Sequence, residues 1–141
     1  MILYAESSAV LAWLLRQAAA RQVEGILANA SDVLTSDLTL IECQRAFHRE
    51  TALGRMPEET VRQVEAKFAA SRSAWRVLRL LAPIIERAKQ RFPHEPIRSL
   101  DALHVASALH AKSVAPDLAM LSLDDRVRRV AEAVGFTLLP A

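Results

Sequence analysis

Four carboxylates stand where this sequence could build chemistry: Glu6, Glu42, Asp101 and Asp124. Each adjoins or interrupts an apolar run. Asp101 is the sharpest case. It lies in Arg98-Ser-Leu-Asp-Ala-Leu-His-Val-Ala-Ser-Ala-Leu-His110, where Leu100, Ala102, Leu103, Val105, Ala106, Ala108 and Leu109 leave almost no polar face. A helix apolar nearly all round is a buried helix, and Ser99 is expected to cap it. Asp101 and His104 are three residues apart, so their side chains are neighbours. A buried carboxylate without donors or a cation loses more solvation than a fold can easily offset. Two readings follow. Asp101 serves the helix start, where the macrodipole favours an acid, beside a satisfied core histidine, or it joins other acids in a site.

The remaining chain decides which elements bring those acids together. Met1-Ile-Leu-Tyr-Ala5 is a continuous apolar run of the parallel-sheet kind. Glu6 ends it, and Ser7 or Ser8 is expected to cap the next helix, with Val10, Leu11, Leu14 and Leu15 at helical spacing. Helices are expected over Ala18 to Ala28, Leu38 to Leu53, Glu58 to Ser71 and Pro83 through Phe92. Strands are expected at Asp32 to Ser36, Trp75 to Leu80, Leu118 to Ser122 and Phe136 to Leu139. Asp124 and Asp125 start a helix that runs to Val134. Gly54 and Pro57 separate two helices, and Gly135 closes the last. Strands alternating with helices predict one α/β domain over residues 1–141, around a mainly parallel sheet.

In such a sheet, ligands bind beyond the carboxyl ends of the strands, near the point where strand order reverses. Glu6 follows the first strand and Asp124 the fourth. Glu42 is in the helix after the second, and Asp101 opens the helix leading into the fourth. Clustered carboxylates raise one another's pKa, and a divalent cation removes the conflict. Oxygen-only ligands favour Mg²⁺ or Mn²⁺ over zinc. Such an ion can activate water and stabilise charge on a phosphate being cleaved. Each acid also has a plain alternative: Glu42 as an exposed helix residue, Asp124 as a helix cap, with Asp125 able to exchange roles with it. Arg98, Arg126 and Arg45 could hold phosphate or simply pair with neighbouring acids.

Other chemistries fit poorly. The three glycines, Gly25, Gly54 and Gly135, are far apart and form no phosphate-cradling loop after a strand. No Gly-x-Ser-x-Gly turn exists, and Cys43 sits in apolar helix. His104 and His110 lack the four-residue spacing of a helical zinc pair. A net charge of +2 does not announce a nucleic-acid binder, although fifteen of the eighteen cationic residues are arginines. Arginine's planar fork suits phosphate; genome composition gives the same bias. A single cysteine, no long apolar span and no basic segment ahead of a signal core predict a cytoplasmic protein.

Four stretches in order resemble the PIN-domain ribonucleases, specifically VapC-like toxins of bacterial type II toxin–antitoxin pairs. They are Leu-Tyr-Ala-Glu-Ser-Ser-Ala-Val at 3–10, Ser-Asp-Leu-Thr-Leu-Ile-Glu at 36–42, Arg-Ser-Leu-Asp-Ala-Leu-His-Val-Ala at 98–106 and Leu-Ser-Leu-Asp-Asp-Arg-Val at 121–127. The resemblance implies a five-stranded parallel sheet between helices and a homodimer. It also implies Mg²⁺-dependent RNA cleavage restrained by a cognate VapB-like antitoxin. Carried over by position, the site acids are Glu6, Glu42, Asp101 and Asp124, with Ser8 and Ser122 as supporting hydroxyls. Glu6 departs from the pattern, since the family usually has Asp there. That departure keeps alive a catalytically silent module that binds RNA or protein; a related DNA nuclease is a third reading. Trp13 and the helical segments through residue 71 are candidate apolar area for an antitoxin or second subunit.

Overall fold

The computed structural model describes every residue from Met1 to Ala141. Five short strands, β1 (Ile2–Ala5), β2 (Asp32–Ser36), β3 (Arg76–Leu78), β4 (Ala119–Leu121) and β5 (Leu138–Leu139), form one sheet in the order β3-β2-β1-β4-β5. All four pairings are parallel, so the sheet is fully parallel. The chain steps outward from β1 to β2 to β3, then returns to the other side of β1 with β4 and β5. Strand order therefore reverses between β1 and β4. Crossover connections supply the helices: α1 (Ser7–Leu14), α2 (Ala20–Asn29), α3 (Asp37–Ala52), α4 (Glu58–Arg72), α5 (Ala82–Ala88), α6 (Ser99–Lys112) and α7 (Asp125–Ala133).

Alternation along the strands divides the core into two layers. Leu3, Ala5, Val33, Ala119 and Leu121 face α1, α2, α3 and α4, with Val10, Leu14, Val23, Phe47, Val61 and Phe68. Tyr4, Leu34 and Met120 face the opposite side, against Val105, Ala108, Val127 and Val130 of α6 and α7. This is a three-layer α/β/α domain, as the sequence predicts.

Several boundaries differ from expectation for local reasons. Ser7, Ser8 and Ser99 do not cap their helices. Glu6 and Arg98 occupy those cap positions, in extended backbone and without a side-chain capping bond. Ser7 and Ser8 instead turn their hydroxyls toward Glu6. Asp124 caps α7, accepting from the backbone N–H groups of Arg126 and Val127, while Asp125 is only its first residue. Helix α5 stops at Ala88, short of Phe92. Gly54 and Gly135 adopt positive φ after α3 and α7, as expected of helix-terminating glycines. Trp13 is core, 8% exposed, tilted against Trp75 with centroids 6.2 Å apart. It therefore offers little apolar surface to a partner. No helix is long and apolar enough to cross a membrane.

Candidate active site

Glu6 is the first residue beyond β1, at the reversal point between β1 and β4. Its backbone N–H bonds to the Leu121 carbonyl at 3.0 Å, which fixes it to the neighbouring strand end. Its side chain is buried, 5% exposed. Ser7 Oγ donates to Oε1 at 2.7 Å, and both Ser8 Oγ and Ser122 Oγ donate to Oε2, Ser122 at 2.8 Å. The nearest ionisable donor is His104, whose Nε2 lies 3.7 Å from Oε1. A buried carboxylate supported by hydroxyls, and paired with no Lys or Arg, is a group that a cation would complete.

The other three acids lie around it. Ser7 Oγ also lies 3.0 Å from Glu42 Oε1, so one hydroxyl, with a single proton, is shared between two carboxylates. His104 Nε2 donates to the same Glu42 oxygen at 2.5 Å. On the other flank, Ser122 Oγ accepts from the Asp124 backbone N–H at 3.2 Å. Arg98 then joins Asp124 to Asp101: Nε donates to Asp101 Oδ2 at 3.0 Å, and Nη2 lies 3.7 Å from Asp124 Oδ2. Asp101 and His104 share one face of α6, which closes the ring. The four predicted acids and both predicted serines are therefore linked by one chain of polar contacts at one sheet edge, through Ser7, the Asp124 N–H and Arg98.

Arg98 is the positive charge of this cluster. Its guanidinium is held above its ordinary range, first by the hydrogen bond to Asp101 and then by the charges of Asp101, Asp124 and Glu42. No three acids or histidines already converge as a cation cage. Instead Arg98 stands between Asp101 and Asp124 from solvent, with its side chain 59% exposed. Glu42 Oε2 and Asp101 Oδ1 take no hydrogen bond from the protein. The donors are carboxylate and hydroxyl oxygens throughout, which suits a hard divalent ion.

The two other arginines considered for phosphate stand apart from the ring's centre. Arg126 Nε is 4.0 Å from Asp124 Oδ1, and Arg45 is exposed one turn after Glu42 without an ion pair. Asp125 is exposed and outside the ring, and exposed His110 is far from forming a zinc pair with buried His104. Sequence reasoning missed three supporting residues. Ser7 was visible only as a cap candidate. Tyr4 is the only tyrosine, a lone hydroxyl inside an apolar strand. Arg128 anchors the Ser122 loop by donating to the carbonyls of Ser122, Leu139 and Pro140; its helical register alone gives no such signal.

Two predictions arise here. Asp124→Ala is expected to lower stability by about 1 kcal/mol through the lost cap, whereas Asp124→Asn caps equally well and leaves it unchanged. Urea denaturation measures both, and equal stability of Ala and wild type would contradict the capping role. Cys43 is fully buried on α3. Burial, followed by the charges of Glu42 and Glu6, pushes its thiol up. Iodoacetamide is expected to label it only as fast as the protein unfolds; rapid labelling of the native state would contradict this.

The PIN domain family model matches residues 3–133. The chain belongs to the PIN-domain family. This PIN domain is 29% identical over 106 residues to Ribonuclease VapC35 of Mycobacterium tuberculosis, covering 75% of this chain and 70% of that protein. Among solved structures it is similar in fold to FitAcB from Neisseria gonorrhoeae, with a TM-score of 0.72 at 16% identity, covering 98% of this chain and 96% of that one. It also resembles VapC20 of M. tuberculosis, described as a Sarcin-Ricin loop cleaving toxin, with a TM-score of 0.67 at 17% identity and 96% of each chain covered. At those identities the structural likeness speaks to the fold.

Proposed function

We propose that this PIN domain is a VapC-like toxin, a Mg²⁺-dependent endoribonuclease that hydrolyses RNA at single-stranded loops. The observation that carries the proposal is the hydroxyl-braced, cation-free carboxylate of Glu6 ringed by Glu42, Asp101 and Asp124. Those four acids would hold Mg²⁺, with Mn²⁺ a possible substitute. When bound, the ion supplies water activation and charge stabilisation at the scissile phosphate. The chain's own groups do the rest. Ser8 and Ser122 fix Glu6, Ser7 reaches Glu42, and Arg98 is placed to turn from the acids to substrate phosphate.

An open groove of about 850 Å³ lies against the first turn of α6, lined by Lys89, Arg91, Ser99 and Ala102 among others. Lys89 and Arg91 there offer cationic contacts for an RNA backbone near the start of α6, although none of the four acids lines the groove. Loops of tRNA or other structured RNA suit the site, because an A-form groove resists reading by side chains. A cognate antitoxin is the proposed restraint; similar folds include VapBC2 from Rickettsia felis and FitAB, each solved bound to a DNA fragment. The homodimer that the family resemblance implies would be free to cover exposed apolar residues such as Ile41, Ile85 and Leu100, on α3, α5 and α6.

The test is cleavage of a mixed tRNA pool by antitoxin-free protein in Mg²⁺, Mn²⁺ and EDTA. Metal-dependent cleavage leaving 5′-phosphate and 3′-hydroxyl ends is expected. Products with 2′,3′-cyclic phosphate would exclude hydrolysis by water. The Arg98 bridge favours one rival, a silent RNA-binding module, because a protein cation already stands between two of the acids. That rival predicts no cleavage and equal RNA affinity in Mg²⁺ and EDTA.

A further inference from the structure

Behind the ring of acids runs a second, fully buried polar chain that the proposed hydrolysis does not by itself require. His104 is 1% exposed and Tyr4 is 0% exposed. His104 Nε2 donates to Glu42 Oε1, and its other ring nitrogen, Nδ1, meets the Tyr4 hydroxyl at 3.1 Å. That hydroxyl in turn lies 3.1 Å from Ser36 Oγ, the last residue of β2. The two rings are packed edge to face, with centroids 6.2 Å apart and planes at 71°. The imidazole therefore has both nitrogens engaged and its plane fixed by a neighbouring ring.

Glu42 needs such a support. It projects from the second turn of α3 on a long side chain that is 27% exposed. Its protein contacts are His104 and Ser7, both on Oε1, and Oε2 is left free. A glutamate with one oxygen clamped and one open presents a defined lone-pair direction. Without the clamp, several rotamers would compete and the carboxylate could swing to water. Elsewhere, groups that orient a ligating carboxylate or histidine commonly matter about 10- to 100-fold for metal affinity.

We propose that His104 is a positioning residue, held by Tyr4 and Ser36 from behind, that locks Glu42 in its cation-ready orientation. The inference rests on the reading of the four acids as a divalent-cation site. It predicts a specific ordering among variants. In His104→Gln the side-chain amide nitrogen falls near the position of Nε2 and can still donate to Glu42. In His104→Asn the amide reaches only the position of Nδ1, toward Tyr4, and leaves Glu42 unclamped. Tyr4→Phe keeps the packing but removes the rear hydrogen bond.

The experiment is calorimetric titration of each purified variant with Mn²⁺ alone, beside crystal structures of His104→Asn and wild type. Expected is Mn²⁺ affinity weakened about 10- to 100-fold in His104→Asn, affinity near wild type in His104→Gln, and an intermediate loss in Tyr4→Phe. In the His104→Asn crystal, Glu42 should have left Ser7. Gln and Asn variants with the same affinity as wild type would overturn the proposal, as would a Glu42 that stays in place. Absence of Mn²⁺ binding by wild type would refute the cation site itself. The Glu42 position in His104→Asn would then still decide whether His104 orients it.

Discussion

Asp101→Asn is expected to abolish RNA cleavage, by more than about 100-fold, while leaving the fold intact. The bound rests on the observation that even supporting partners of metal ligands are commonly worth about 10- to 100-fold. Asn matches Asp in shape, so α6 and its buried face are undisturbed. What changes is charge: one of four carboxylates is lost, and Arg98 loses the partner that does most to hold it above its ordinary range. Asp101 is 6% exposed, and its Oδ1 is one of three carboxylate oxygens in the ring without a hydrogen bond, with Glu42 Oε2 and Asp124 Oδ2. An amide there is a weaker, neutral donor to a divalent ion. Cleavage rates and a thermal melt on the same preparation check the prediction. Retained cleavage would place the chemistry on other residues; a collapsed melt would show Asp101 to be structural.

Glu6→Asp, the change toward the residue usual in the family, is expected to reduce activity in this chain, by about 100-fold. Three hydroxyls, from Ser7, Ser8 and Ser122, are placed for a glutamate-length carboxylate. Shortening by one methylene withdraws the oxygens by roughly one C–C bond, and misplacement of about 1 Å can cost about 10²-fold. Withdrawal also strands the buried Ser122 hydroxyl, which is 0% exposed. Steady-state cleavage of one defined loop substrate would measure it. Equal or higher activity in Glu6→Asp would mean that the serines adapt freely and do not set the site's reach.

The legible parts of this molecule were those written in periodicity. The continuous apolar runs before Glu6 and Asp124 declared parallel strands, and two acids were thereby located at strand ends. The near absence of a polar face on α6 declared a buried helix, so Asp101 required an explanation. Long-range partnership was not legible. Nothing local says that Ser7 reaches Glu42 across 35 residues, or that Tyr4 meets His104 across 100. Cap chemistry also misled. Ser7 and Ser8 have the right type for capping, but a buried carboxylate competes for their hydroxyls and wins. Asp124, weighed from the sequence as either a helix cap or a site acid, caps α7 through Oδ1 while its Oδ2 lies toward Arg98. The break between α1 and α2 falls at Arg16, which adopts a φ of 54° that would ordinarily be marked by glycine.

The claim on which all this depends is that Glu6, Glu42, Asp101 and Asp124 form one divalent-cation site. The most direct measurement is an anomalous difference map from crystals of the antitoxin-free protein soaked in Mn²⁺. One or two peaks are expected within this ring, in contact with Glu6 and Asp101, with Arg98 drawn away from between Asp101 and Asp124. A map with Mn²⁺ bound only elsewhere, or with the Arg98 bridge intact at saturating Mn²⁺, would contradict it.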